Sequence, residues 1–324
     1  MRWIIKKTEA KLRLDTKDQK LLDSLLMNAR ISLKAVAKKL RISKPAVLKR
    51  IQKLEEKNII QGYSCFINFN SLGMKTFQVG IKVNMSLEQK EKYLLRLTKC
   101  ENINQILSLS GGQWDFLCRI ICFEKEIIAT LDQMMNSQVQ RMEILQTYVG
   151  FFKKEGEIHS IISKEEKLTK EEIFLLRELA TGGKVRFSTL AEKTKISYPT
   201  IRKTIKRLEE KNILLAHVTK INPLIYGTQG FILVITTKTR AIEKKISKAL
   251  AKVKSTGTLC NIQFPNIISF HLIESLKDMK VVEKVLEPFM DQIMSYEFIE
   301  IVEQRKYEYF PKAVETILKE RNRK

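Results

Sequence analysis

The sequence predicts an α+β protein in which a winged helix-turn-helix and a ferredoxin-like βαββαβ domain each occur twice in tandem. Three observations predict it. The hexapeptide Leu-Glu-Glu-Lys-Asn-Ile occurs at Leu54–Ile59 and again at Leu208–Ile213. Sliding the chain by 154 positions without a gap aligns Asp18–Ile60 with Glu172–Leu214, and 16 of those 43 positions are identical. A period of that length signals a duplicated domain pair, since solenoid repeats run about 20–50 residues. Second, each copy opens with helical periodicity and continues with strand-like runs. Third, the positive charge is concentrated in the helical halves.

The chain has 324 residues and a formal net charge of +23. Residues 1–70 hold 17 Lys and Arg against 6 Asp and Glu, and residues 164–226 hold 14 against 8. The intervening spans are almost balanced, at 11 against 10 for 71–163 and 12 against 10 for 227–310. A merely lysine-rich chain would spread its charge evenly; this one is polarised, as nucleic-acid-binding segments are. Five cysteines, an odd number without paired spacing, point to reduced thiols. Cys118 and Cys122 would face the same side of a strand as small buried hydrophobes, a redox pair being the alternative. The first residues hold no apolar run of signal-peptide length and no later stretch approaches a membrane span, so a cytoplasmic location without membrane contact is expected.

The boundaries follow the repeat: a first winged helix-turn-helix at 1–70, a βαββαβ domain at 71–163, a second winged helix-turn-helix at 164–226, a second βαββαβ domain at 227–310, and a basic tail at 311–324. In the first unit Leu21, Leu22, Leu25 and Leu26 form the stripe of an amphipathic helix, and Asn28–Arg30 breaks it. Ser32 opens a second helix with Leu33, Val36, Ala37 and Leu40 inward. After a tight turn, Ser43 is an N-cap and Pro45 fits the first helical turn, where no backbone donor is needed. The third helix buries Val47, Ile51 and Leu54 and stops at Asn58, a residue tolerant of the left-handed C-cap. β-prone Ile59–Phe69 would supply the wing.

With that core face inward, Lys44, Pro45, Ala46, Lys49, Arg50 and Lys53 are the expected DNA-binding residues of the first third helix. Their counterparts in the second are Tyr198, Thr200, Arg202, Lys203, Lys206 and Arg207. Cations and small or hydroxyl side chains at the front of such a helix suit phosphate anchoring and base-edge contact in a major groove. The plain alternative is a solvated cationic face. Core positions agree between copies, whereas Lys44 meets Tyr198, Leu48 meets Arg202 and Arg50 meets Thr204, so the two helices are not expected to prefer the same bases.

After Gly73 the first copy reads as strand, helix, hairpin, helix, strand, and the second copy repeats that order from Gly230. A half-open sheet of this kind has a face to cover, which drives pairing with another copy, in the same chain or in a second one.

At this point the chain resembles the Lrp/AsnC (feast/famine) family of transcription regulators. The resemblance is carried by the run from Leu14, by NARIS at 28–32, by ISKPAVLKRIQKLEEKNIIQGY at 42–63, and by INFNSLG at 67–73 with INPLIYG at 221–227. It implies a double-stranded DNA partner, self-association through the βαββαβ domains, and a small-molecule effector such as an amino acid near the hairpin loop. There a Gly-x-x-Asp pattern recurs in the family. Here GGQWD supplies Gly111, Gly112 and Asp115, with the carboxylate available to an ammonium group; a plain hairpin turn with a solvated Asp is the alternative. The second copy has FPNII at 264–268, with neither glycine nor acid.

No enzyme emerges from the residues. His159, His217 and His271 are far apart, no Cys/His spacing suits zinc, and no phosphate loop or nucleophile elbow occurs, so neither metal nor cofactor is expected. Two rivals to a sequence-specific regulator remain. One is a sequence-tolerant architectural DNA binder using the same cations. The other is an enzyme like the sirohaem decarboxylases, which share the two-domain plan; it would need cations and histidines around a porphyrin-sized cleft.

Overall fold

The computed structural model describes residues 14–26, 28–154, 156–161, 165–181, 187–222, 229–253, 255–273, 275–311 and 314. The GG at 182–183, most of INPLIYG and nearly all of the basic tail lie outside the described residues.

Helices α1 (Thr16–Leu26), α2 (Leu33–Leu40) and α3 (Lys44–Glu56) lead into strand β1 (Ile60–Ile67). Leu21, Leu22, Leu25, Val36, Leu40, Val47, Ile51 and Leu54 close a single small core among them. The starts follow the sequence. Asp15 accepts from the Asp18 amide at 2.7 Å, Ser32 from Ala35 at 3.1 Å and Ser43 from Ala46 at 3.3 Å, satisfying donors that a helix leaves open. Asn58 ends the third helix in the left-handed region, with φ of 54°. Arg41 does the same between α2 and α3, at φ 53°.

The same order recurs as α6 (Lys170–Thr181), α7 (Phe187–Thr194), α8 (Tyr198–Glu210) and β7 (Leu214–Ile221). Thr169 caps α6 at the repeat position of Asp15, and Ser197 caps α8 at that of Ser43. Lys195 and Asn212 take the left-handed turns at φ 57° and 54°.

Between these helical units run β2 (Lys75–Val83), α4 (Leu87–Thr98), β3 (Ile103–Ser110), β4 (Phe116–Cys122), α5 (Ile127–Met134) and β5 (Val139–Lys154). A short β6 (Glu157–Ile161), not expected from the sequence, hairpins back on β5. After β7 come β8 (Gln229–Thr237), α9 (Glu243–Leu250), β9 (Ser255–Asn261), β10 (Ile267–Ile273), α10 (Leu276–Leu286) and β11 (Ile293–Tyr307). Both runs are βαββαβ.

Their strands share one sheet in the order β2-β4-β3-β11-β8-β10-β9-β5-β6, and β5 also pairs with β2. The pairing therefore runs round in a ring. The second strand of each unit joins the last strand of the other: β3 with β11, and β9 with β5. This reciprocal contact is what a symmetric dimer interface looks like, here within one chain. Leu107, Leu109, Trp114 and Leu117 from the first unit and Ile232, Val234, Ile268 and Ile299 from the second share the core inside the ring. Outside it, α4 and α5 cover one unit and α9 and α10 the other. Lys306 of β11 reaches across to donate to the Thr98 and Cys100 carbonyls at the end of α4, at 3.2 and 2.9 Å. Cys65, Cys100, Cys118, Cys122 and Cys260 are all free and buried.

Strand β1 corrects one expectation. It is not a wing held out beside α3. It pairs antiparallel with β7 along its length, Cys65 opposite His217, in a separate two-stranded ladder that is largely buried. Eight apolar-rich residues with no second strand of their own need a partner for their backbone groups, and the other unit supplies it.

Candidate nucleic-acid interface and effector loop

Helix α3 presents its face as its periodicity dictates. Val47, Ile51 and Leu54 are buried, while Lys44, Pro45, Lys49 and Lys53 are exposed and Ala46 is half-buried. Lys44, Lys49 and Lys53 have no acidic partner among the described residues, so three free cations line the front and flank of a capped helix N-terminus. Oriented backbone N–H groups and the helix dipole add positive potential at the same end. Leu48 stands among them, 45% exposed.

Arg50 does not join that row. Its Nη1 donates to Asp15 and to Asp18, at 2.6 Å each, so the guanidinium clamps α3 onto the start of α1. Asp18 is 6% exposed and would be a costly buried charge without it. The two carboxylates raise the pKa of Arg50. Burial, which alone would raise the pKa of Asp15, is outweighed by the Asp18 amide and Arg50, which lower it. Expected as a DNA contact, Arg50 is a structural tie.

Helix α8 makes the same tie from a different rung. Arg207, also expected on the DNA face, pairs with Glu172 of α6, the repeat counterpart of Asp18. Arg207 aligns with Lys53, and Thr204 stands where Arg50 would be. The acid is kept and the cation has moved about one helical turn along the third helix. Tyr198, Thr200, Arg202 and Lys203 are exposed, Tyr198 by 47%. Lys206 lies 3.6 Å from Glu210 in an exposed pair.

The two helical units are cross-braced. α1 packs on β7 and α6 on β1, each on the strand of the other unit. Thr219 of β7 donates to the Leu25 carbonyl of α1 at 2.8 Å, and Ser64 of β1 to the Ala180 carbonyl of α6 at 2.6 Å. The Arg30 guanidinium lies 4.5 Å above the Phe187 ring, and its Nε donates to His217 Nδ1 at 3.3 Å. Burial lowers the pKa of His217, with Glu209 opposing. His217 is thus part of a brace, which no local sequence signal revealed.

The loop between β3 and β4 carries Gly111, Gly112 and Asp115. Both glycines have positive φ, 74° and 82°, as a tight turn requires. Asp115 is neither solvated nor open to an incoming ammonium group. It accepts from Lys90 at 2.8 Å and from the Val83 amide at 3.0 Å, with Lys82 at 3.5 Å. Burial, which raises its pKa, is outweighed by these groups, which lower it. Gly112 lies against β11: a Cβ there would meet a Glu297 carboxylate oxygen at 2.2 Å. The Glu297 side chain also accepts from the Gln113 amide at 2.9 Å. The loop is accordingly packed against the other unit, and its carboxylate is already spent on two lysines.

No group of three or more His, Cys, Asp or Glu among the described residues is arranged to hold a metal ion. No helix among them is long and apolar enough to cross a membrane. His271 sits in the sheet at 1% exposure, and burial pushes its pKa down to about 4 against a hydrogen bond with the Val253 backbone that raises it.

Comparison with known proteins agrees with the first unit in detail. Residues 14–61 match the family model described as winged helix-turn-helix DNA-binding. An HTH-type transcriptional regulator of Methanocaldococcus jannaschii is 32% identical over 108 residues, 32% of this chain and 70% of that protein. The leucine-responsive regulatory protein of Rhizobium meliloti is 30% identical over 114 residues, 34% of this chain and 72% of that protein. The chain spans about half the length of other curated relatives it matches, among them regulators of Pyrococcus furiosus and Pyrococcus abyssi. Over the whole chain, the fold is similar to the crystal structure of the siroheme decarboxylase NirDL. The TM-score is 0.62 at 13% identity, covering 94% of this chain and 98% of that one. At that identity the likeness is one of fold. Sequence kinship lies with the regulators, and the chain belongs to the Lrp/AsnC family of winged helix-turn-helix proteins.

Proposed function

We propose that the chain is a sequence-specific DNA-binding regulator of transcription with two different reading heads in one polypeptide. The observation that carries the reading is the face of α3, where Lys44, Lys49 and Lys53 are exposed, without an acidic partner among the described residues, beside a capped N-terminus. In this reading α6–α8 with β7 form a second head of the same kind, tandem to the first. Arg202 and Lys203 anchor phosphates there, and Tyr198 and Thr200 face the bases. The cross-braced β1–β7 ladder and the shared ring of strands hold the heads at a fixed spacing, so one chain does the work of a dimer. Because the two fronts differ, the preferred site is asymmetric.

The test is selection from random duplex DNA, followed by titration of the selected and scrambled duplexes at about 50 and 200 mM salt. A specific regulator binds its site about 10³-fold or more tighter than non-specific DNA. Steep salt dependence without an enriched motif would instead mean an architectural binder.

A second reading, an enzyme acting on a sirohaem-like macrocycle, is favoured by one observation, the whole-chain fold likeness to the siroheme decarboxylase NirDL. Against it stands the sequence kinship, which lies with transcription regulators. Absorbance titration with an iron porphyrin discriminates: a stoichiometric Soret shift together with no DNA binding would favour the enzyme.

A further inference from the structure

We propose that the mouth of the strand ring holds a small hydroxy acid, gripped by Arg119 and Gln78. The cavity there is lined by β2, β4, β5 and the end of β11 on one side and by Cys65–Asn70, the end of β1 and the turn after it, on the other. Gln78 and Arg119 are register partners in the β2–β4 ladder, so their side chains leave the same face side by side.

Gln78 is 1% exposed, lines the cavity, and has no hydrogen-bond partner for either amide atom. Buried polar groups are nearly always paired, and an unpaired amide costs stability that an apolar residue of the same shape would not. Two neighbouring hydroxyls are already paired, and the Glu308 carboxylate that also lines the cavity is held 3.5 Å from Lys306. Thr147 Oγ1 bonds to Asn261 at 2.9 Å, and Thr76 Oγ1 to Asn70 at 3.1 Å. Arg119 commits Nε to Asn104 Oδ1 at 3.0 Å and lies 5.0 Å from the Tyr307 ring centroid. It has no carboxylate in ion-pair reach among the described residues. Its two terminal amino groups form a planar fork that matches a carboxylate.

These vacant valences define the ligand. A carboxylate satisfies the Arg119 fork and accepts from Gln78 Nε2, while Gln78 Oε1 asks for a donor on the same small molecule. An ammonium donor would sit beside a guanidinium and be repelled, so a hydroxyl fits better. A cavity of about 60 Å³ has room for roughly four or five water-sized spheres, the size of a short hydroxy acid. Since the far wall is the segment leaving α3, a bound acid touches both the ring and the strand that carries the first helical unit. Binding stands apart from the DNA reading; only its consequence for DNA affinity rests on it.

The experiment is calorimetric titration of the full chain with L-lactate, in the absence of DNA. Methyl lactate lacks the carboxylate, acetate lacks the hydroxyl and L-alanine carries an ammonium. The expected result is saturable one-to-one binding of lactate with a Kd below about 10 mM, weaker binding of acetate and alanine, and none of the ester. Arg119→Gln and Gln78→Leu, each checked for folding by circular dichroism, should weaken lactate binding at least tenfold, and Gln78→Leu should raise the melting temperature of the free protein. Absence of saturable binding would mean that the cavity holds water only. Binding unchanged by both substitutions would place the acid elsewhere. Either result overturns the proposal, and neither bears on the DNA selection.

Discussion

Replacing Arg50 by Gln separates a structural cation from the DNA-facing ones beside it. The Arg50 side chain is 27% exposed and holds Asp15, 53% exposed, and Asp18, 8% exposed. Breaking a fully buried pair costs about 3–5 kcal/mol, but solvent reaches this one, so about 2 kcal/mol is expected. In a chain of this size that lowers the melting temperature by about 4 °C. The DNA salt slope should barely move, because Arg50 anchors no phosphate. Lys49→Gln is the mirror case: stability is unchanged and the slope falls by about 0.9, the contribution of one phosphate contact. Thermal unfolding and fluorescence titration of both variants on a selected duplex measure the two quantities. An Arg50→Gln variant with an unchanged melting temperature and a slope lower by about 0.9 would refute the assignment.

Other substitutions probe the rest of the architecture. Asp115→Asn should cost about 1 kcal/mol in urea unfolding, because Lys82 and Lys90 lose their carboxylate. If the variant were instead fully stable and had lost an amino-acid response, the loop would be an open effector site after all. Gly80→Ala should destabilise by about 1–3 kcal/mol, since its Cβ would fall 2.3 Å from the buried Trp114 ring; an unchanged unfolding midpoint would contradict that packing. Burial holds His271 at a pKa of about 4 in the fold, so the unfolded chain takes up its proton first as pH falls. Its contribution is complete above the unfolded pKa of about 6.5 and is lost as pH falls towards 4, by about 3 kcal/mol. His271→Leu should flatten that acid limb, and an identical pH profile would show that the acid sensitivity lies elsewhere.

The repeated helical units were legible because their determinants are local. Ser43 and Ser197 cap, Pro45 and Pro199 start, and Asn58 and Asn212 stop the third helices within sixteen residues in each copy. What lay beyond reading was set by distant partners. Nothing near β1 says that it pairs with β7, and edge strands β3 and β9 do not name the strands that cover them. The face of β2 that bears Thr76, Gln78, Gly80 and Lys82 alternates as a solvated face would, yet closure of the ring turns much of it inward. Hence Gln78 carried no signal, and Gly80 gave no hint of the indole packed on it. Arg50 misled for a related reason: helical phase set it on the outer face of α3, but its partners come from α1. The shift of that cation from Arg50 to Arg207 between copies, against a constant acid, is a signal that an aligned repeat contains.

Two unlike heads in one chain should read one asymmetric site. The most direct test is to run the random-duplex selection twice, with the native chain and with a variant carrying Tyr198→Ala, Arg202→Gln and Lys203→Gln. All three side chains are exposed on α8; Tyr198 also lies 6.1 Å from the Phe187 ring, so the fold of the variant is checked by circular dichroism. A two-part motif with unlike halves is expected for the native chain, and loss of information in one half only for the variant. A clean palindrome from the native chain, or a motif unchanged in the variant, would contradict it.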